Sequence, residues 1–494
     1  MPSSLHPRIQ VLITLAIVLI ACWFLLFNQL GSAPLRFWDE SRLAINAIEM
    51  SESGRLLVTT YEGQPDAWNT KPPLMIWLQA LAIKLFGIGL VPLRLPAALA
   101  ALATVMSLYF FLGKRLSPWS GLAAAMALLA TPGYVMVHCA RNGEYDSLLV
   151  LWMFASSLTF LRVIERTEEK KWIWLTALFV TLAVYAKGVQ GLIHIPGLVL
   201  FAAVRGRLGV LLKHRHLLLA GIASIFVIAA YYLAREAAQP GYLEAVMNNE
   251  LIGRYSRVSE GHRGDMWTYF EALKFWSPVG GAMVVLTLFL RGKHRRIAWF
   301  GLLLSLTYVL IISIGKSKLV WYAVPMFPWL SISLGACAAG VVHFAQRQTG
   351  SRVAGPARWF IILALIGWFD VQLFRQIESG VGSLHREEAY GLQLMAYREA
   401  FPESSQLYLV NKDYDPLALY YKHWYATKGL SIRPLEVKSR PSDLRESMRI
   451  YRIRSGDTVL TSSEDIIQVL DSLFDHEVFF TYLGLEATTI KGRQ

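Results

Sequence analysis

An all-α polytopic membrane protein, with about eleven spans and a soluble α/β tail, is the fold class that this sequence predicts. Three observations carry the expectation. Of 494 residues 54% are hydrophobic and only 17% charged, and the mean hydropathy is +0.40. The apolar residues collect into long runs instead of alternating with polar ones. Beyond residue 380 the composition changes, with charges spread throughout and short β-like runs such as Gln406–Val410.

About 17–25 apolar residues cross a bilayer as a helix. Candidate spans lie near 9–29, 93–112, 118–139, 147–163, 172–186, 189–204, 216–234, 276–290, 297–314, 319–342 and 358–375. The first run has a poor cleavage site after it and reads as an uncleaved anchor. Lys and Arg then set the orientation. Every second loop is basic: Gly113–Arg115, Arg162–Lys171, Arg205–Arg215, Arg291–Arg296 and Arg347–Arg358. That side is expected to be cytoplasmic. The opposite, outer side receives residues 30–92, 140–146, 235–275, 315–318 and the tail, which is expected to face the periplasm or cell exterior. The division expected is 1–379 for the membrane part and 380–494 for the outer α/β domain.

The same distribution disposes of other classes. A net charge of +13 invites a nucleic-acid reading, but the positive charge sits in the loops that set topology. Cys22, Cys139 and Cys337 all lie in apolar runs, which argues against a disulfide framework.

Two segments of the first outer loop are amphipathic or apolar but too short to span. Ser41–Met50 gathers Leu43, Ala44, Ala47 and Ile48 on one helical face, and Leu74–Phe86 reads as a second helix. Both suit the membrane interface, where an enzyme acting on a lipid headgroup would work. Asp39 and Glu40 open the first. As a local feature Asp39 caps the helix, whereas an acid held at the membrane boundary beside aromatics loses solvent, as catalytic acids often do. Lys71 precedes Pro72-Pro73 at the start of the second helix, whose free N–H groups attract an anion. Asp146 opens the span after the turn Ala140–Tyr145, where capping alone explains it adequately. Lys316 and Lys318 occupy a tight outer turn against the orientation rule, and such violations usually mark a bound anion. Loop 235–275 adds Arg254, Arg257, His262 and Arg263. His262 is a candidate metal ligand, although a lone exposed histidine is more often unliganded. Asp413-Tyr414-Asp415 looks like an acidic pair for a metal, but Pro416 makes a turn the better reading.

Together these motifs resemble a known family. Asp39-Glu40-Ser41-Arg42 running to Gly54, and Lys71-Pro72-Pro73-Leu74 running to Gly87, are similar to the first outer loop of bacterial lipid A aminoarabinose transferases. Lys316-Ser317-Lys318-Leu319 with Tyr322 and Pro325 is similar to a later motif of those enzymes. More distantly the set resembles protein O-mannosyltransferases and other GT-C glycosyltransferases. The likeness covers roughly residues 10–345. It implies an inverting membrane transferase that takes a sugar from a polyprenyl-phosphate donor, with an envelope lipid, glycan or protein as acceptor. It implies Asp39 as the catalytic acidic residue, with Glu40 beside it and Asp146 as the second acidic position of the outer face. It also implies Lys71 as the lysine on the lipid phosphate. The family commonly carries a metal-binding Glu before Lys-Pro-Pro; this chain has Thr70 there, so no cofactor is required and a divalent metal stays open.

The chemistry agrees with this reading. Substitution at an anomeric carbon passes through an oxocarbenium-like state, with a carboxylate handling the attacking oxygen. The departing polyprenyl phosphate needs neutralising cations, a role that suits Lys71, Lys316, Lys318 and Arg263, with Tyr322 nearby. An anionic-lipid transporter or flippase would also set cations at the interface, but would add inverted repeats and midplane charges, which the sequence does not clearly show. A receptor would leave the Asp39 and Lys71 loop unexplained.

Overall fold

The computed structural model describes residues 6–136, 138–252, 264, 267–269, 277–349, 367, 389–412, 416–437, 454–461, 464–482 and 485–493. Among these, seven helices are long and apolar enough to cross a membrane: Pro7–Phe27, Leu90–Arg115, Asp146–Glu165, Lys170–Leu192, Arg215–Ala238, Gly292–Ile314 and Met326–Phe344. The expected spans at 118–139, 189–204 and 276–290 are helices too, but shorter, at Pro118–Leu129, Ile195–Val204 and Ser277–Phe289. The expected span at 358–375 falls outside the described residues, apart from Gly367.

Helix α1 (Pro7–Cys22) ends in a π-helical turn at Trp23–Phe27, and the chain then crosses to α2 (Asp39–Ser53). A small hairpin pairs β1 (Thr60–Tyr61) with β2 (Gln64–Pro65), and α3 (Leu74–Phe86) follows. Then come α4 (Leu90–Arg115), α5 (Pro118–Leu129), the single turn α6 (Pro132–Val135), α7 (Asp146–Glu165) and α8 (Lys170–Lys187). Helix α5 is started by a capping box in which Ser117 and Ser120 exchange side chain and backbone. After α9 (Ile195–Val204) and α10 (Leu208–Leu212), α11 (Arg215–Ala238) turns Leu218, Ile222, Ile225, Phe226 and Leu233 outward. Such an apolar outer face belongs against lipid tails. The remaining helices of this part are α12 (Tyr242–Val246), α13 (Ser277–Phe289), α14 (Gly292–Ile314) and α15 (Met326–Thr349). In lipid, helices associate by close backbone approach. Gly301 shows it: a Cβ there would run into the backbone oxygen of Trp329 on α15.

Ion pairs join the helices at both ends. Arg115 at the end of α4 pairs with Glu165 at the end of α7, 2.5 Å apart. The opposite ends of α7 and α8 carry Asp146 and Lys187, which also meet. At 1.5 Å per residue the two ends of α7 are about 30 Å apart, close to the thickness of a hydrocarbon core.

The tail is an α/β unit as expected. After α16 (Ala389–Ala400), strand β3 (Gln406–Lys412) runs parallel to β4 (Ser431–Val437) and to β5 (Thr458–Thr461). Helix α17 (Pro416–Ala426) makes the crossover between β3 and β4, and α18 (Glu464–Leu473) precedes β6 (Phe474–Tyr482) and β7 (Leu485–Arg493). The last two pair antiparallel, giving the order β4-β3-β5-β7-β6. Successive side chains of β3 serve two cores, because a strand alternates its faces. Tyr408 and Val410 join a small core with Val459, Ile466 and Ile490. Leu407 and Leu409 instead join one that holds Leu35, Leu43, Ile48 and Met75 of the first outer loop. Helix α17 completes that second core with Leu417, Tyr420 and Tyr421, so the tail is packed onto the first outer loop. Burying one Leu side chain contributes about 1.5–3 kcal/mol, which makes this junction part of the fold.

A candidate glycosyl-transfer site

Asp39 and Glu40 separate at once. Asp39 is exposed, whereas Glu40 is 1% exposed. The loss of solvent expected for Asp39 therefore belongs to its neighbour. Glu40 takes hydrogen bonds from Arg94 Nε (2.7 Å) and Nη2 (2.9 Å), from the Arg36 amide (2.8 Å) and from the Gly143 amide (2.7 Å). Burial works to raise the Glu40 carboxyl, but the Arg94 charge and these donors together hold it below the usual carboxylate range. Arg94 spends its other protons on the carbonyls of Leu30, Ala33 and Pro34. Glu40 thus ties α1's exit, α4 and the turn before α7 to one point.

The capping readings of Asp39 and Asp146 fail. The N-cap residues are Trp38 and Tyr145, and neither helix has a side-chain cap hydrogen bond. Trp38 sits at φ 69°, a left-handed conformation that costs a bulky residue energy and throws Asp39 outward. Asp146 is 2% exposed and takes both its oxygens to Lys187 Nζ, 2.6 Å each.

A second network makes the first outer loop rigid. Arg42 grips Asp66 with Nε (2.9 Å) and Nη2 (2.6 Å). Asn46 donates to Asp66 and to the Thr60 carbonyl, Asn69 donates to Asn46, and the Tyr145 hydroxyl donates to Asn69. Burial works to raise Asp66, yet Arg42 and Asn46 keep it below its ordinary value of 3.8.

The turn before α7 supplies groups that the sequence did not single out. His138, at φ 54°, places Nδ1 against Glu144 Oε2. Its ring stacks on Trp321, with centroids 3.8 Å apart and planes 14° off parallel. Burial raises the Glu144 carboxyl, partly offset by His138. Asp39 closes the group: one ligating atom each from Asp39, His138 and Glu144 lie within 4.8 Å of one another. Tyr322, next to Trp321, has its ring 5.7 Å from Lys187 Nζ. The segment after the Lys316–Lys318 turn therefore reaches the turn before α7 and the end of α8.

The cations are placed as follows. Lys71 Nζ lies 3.4 Å from Glu250 and 5.4 Å from the centre of the Tyr145 ring. Lys318 donates to the Gly315 carbonyl (2.6 Å) and Lys316 is exposed. One pocket is lined by Glu250, Gly315, Ser317 and Tyr322, so the partner of Lys71 and the lysine turn border the same space. Arg254, Arg257, Arg263, His262 and Asp413–Asp415 lie outside the described residues. The family's metal position does not fit a cation here: the Thr70 hydroxyl donates to Glu250 Oε1 (3.0 Å), beside the Lys71 ammonium.

Arg94, Lys187 and His138 escaped sequence reasoning because each lies within or at the edge of an apolar run. That was the usable signal. A charge or imidazole in such a run seeks a partner, and Arg94 and Lys187 found Glu40 and Asp146.

Likenesses to one family, two relatives and two solved structures bear on the fold and its class. Residues 70–233 match the family described as dolichyl-phosphate-mannose-protein mannosyltransferase. An undecaprenyl phosphate-alpha-4-amino-4-deoxy-L-arabinose arabinosyl transferase of Shewanella sediminis is 24% identical over 446 residues, covering 84% of this chain and 77% of that one. A protein of Aquifex aeolicus is 25% identical over 326 residues, but this chain spans only 62% of its length. The structure of ArnT from Cupriavidus metallidurans bound to undecaprenyl phosphate superposes with a TM-score of 0.67 at 17% identity, covering 97% of both chains. The chain resembles the GT-C glycosyltransferases in sequence and in fold. An oligosaccharyltransferase of Archaeoglobus fulgidus shares the GT-C architecture more loosely, with a TM-score of 0.51 at 10% identity over 97% of this chain and 74% of that one. The shared fold extends into the tail, which the sequence motifs did not cover.

Proposed function

We propose that this GT-C-type glycosyltransferase moves a sugar from a polyprenyl-phosphate donor to an envelope acceptor on the outer face of the inner membrane. One observation carries the reading. An exposed carboxylate, Asp39, stands with His138 and Glu144 of the turn before α7, and Trp321 from a third segment stacks on His138, at the end of α7 opposite the Arg115–Glu165 pair. The acceptor's hydroxyl oxygen attacks the anomeric carbon while Asp39 takes its proton. The bond from that carbon to the phosphate oxygen breaks, and the polyprenyl phosphate leaves on the opposite side, inverting the centre. Lys71, with Lys316, Lys318 and Arg263, neutralises the departing phosphate, and Tyr322 borders it. We assign Glu40 a positioning part, since its oxygens are already occupied by Arg94, Arg36 and Gly143. The 1–379 part forms the site and the 380–494 part stands outside the membrane against the first loop.

Lipid A is the acceptor favoured by the likeness to the aminoarabinose transferases. The match of residues 70–233 favours a protein hydroxyl instead. The test incubates purified protein with a labelled polyprenyl-phosphate sugar and each acceptor class. Donor consumed with label in an acceptor supports transfer. Donor relocated intact across a vesicle would make the chain a lipid transporter.

A further inference from the structure

The group Asp39, His138 and Glu144 has features that proton transfer alone does not require. Glu144 is 2% exposed, yet its Oε1 has no hydrogen-bond partner among the described residues. A buried carboxylate oxygen left bare costs about 1–3 kcal/mol or more, so something compensates it. His138 holds a left-handed backbone conformation that a β-substituted residue pays strain to adopt. That conformation and the flat stack on Trp321 fix the imidazole plane toward Glu144. Asp39 is exposed, which leaves the third side open to solvent.

We propose that Asp39, His138 and Glu144 bind a divalent transition-metal ion. One imidazole nitrogen with two carboxylates suits Zn²⁺ or Mn²⁺; Mg²⁺ and Ca²⁺ favour all-oxygen sets. Ligands at about 2.1 Å from a tetrahedral ion stand roughly 3.4 Å from each other, so atoms already within 4.8 Å need only small side-chain rotations. Nδ1 of His138 must then turn its lone pair to the ion, replacing the present contact with Glu144. Three protein ligands leave a coordination position for an oxygen of substrate, on the exposed side. This site stands apart from the Thr70 position, where the hydroxyl and Lys71 disfavour a cation. The binding itself is independent of the transferase reading; its use in catalysis, orienting an acceptor or donor oxygen beside Asp39, rests on that reading.

The experiment is a Mn²⁺ titration of the full-length protein in lipid nanodiscs, followed by electron paramagnetic resonance, with Zn²⁺ competition. One Mn²⁺ per chain is expected, displaced by Zn²⁺. Glu144→Gln and His138→Gln should each weaken it by about tenfold or more, and Trp321→Ala should weaken it less. Gel filtration and the unfolding midpoint establish that each variant is folded, and if His138→Gln is not, Glu144→Gln alone decides. Saturating binding that survives both substitutions would overturn the site, as would no binding by the folded wild type. Metal bound without any sugar transfer would count against the proposed function and leave the site standing; transfer without metal binding would do the reverse.

Discussion

The first outer loop and the turn before α7 face each other, and they are built on opposite rules. In the loop, the buried carboxylates are satisfied: Glu40 by Arg94 and two amides, Asp66 by Arg42, Asn46 and two amides. In the turn, Glu144 keeps a bare buried oxygen and His138 a strained backbone. Buried polar groups are normally paired, so exceptions point to where a ligand or a reaction completes the set. On the proposed function, the loop is a frame, and the turn together with Asp39 is where the chemistry belongs.

The contrast is sharpest between the adjacent residues 39 and 40. Asp39→Asn should leave the protein folded and lower turnover by about 10²–10⁴-fold, the usual worth of a general base. Near-normal turnover in a correctly inserted variant would remove Asp39 from the reaction. Glu40→Gln should do the converse, leaving Arg94 buried without its counter-charge at a cost of about 3–5 kcal/mol. It should appear as a lower unfolding midpoint and lower yield; a variant as stable as wild type but inactive would move Glu40 out of the frame.

A smaller effect concerns the cations. Single changes of Lys71, Lys316 and Lys318 to Ala should each weaken donor use, and a shared phosphate makes their losses non-additive in double variants. Lys84→Ala, on the exposed face of α3, should be nearly silent. Strictly additive losses would separate the lysines into different sites.

The smallest is the pH response of the frame. Asp66 is held below its ordinary value of 3.8, so its contribution is complete above that value and is lost as pH falls through the depressed one. Unfolding midpoints should therefore be level from neutral pH down to about 5 and drop below about 4. Asp66→Asn should start lower and flatten that drop; an unchanged slope would take Asp66 out of the pH response.

Much of this was legible in the chain. Ten of the eleven expected spans coincide with helices, because a run of apolar residues in lipid has few other ways to satisfy its backbone. The lengths were less legible: 118–139 breaks at Leu129, where Thr131-Pro132 interrupts the helix and leaves His138 in a turn. Asp39, Lys71 and Asp146 stood out because each polar residue adjoined an apolar helix. What each does there was not legible, and the capping reading of two of them gave way.

By itself, then, the sequence determined the membrane class and which short motifs carry charge, since burial in lipid acts locally along the chain, and the charge bias of the loops set an expectation for their sidedness. Tertiary structure alone decided the partners. Glu40 with Arg94, Asp146 with Lys187, and Trp321 stacked on His138 join residues 54, 41 and 183 positions apart. It also decided that Leu407 and Leu409 of the tail pack with the first outer loop. Such pairings depend on how helix ends meet across a bundle, a geometry that no local pattern encodes.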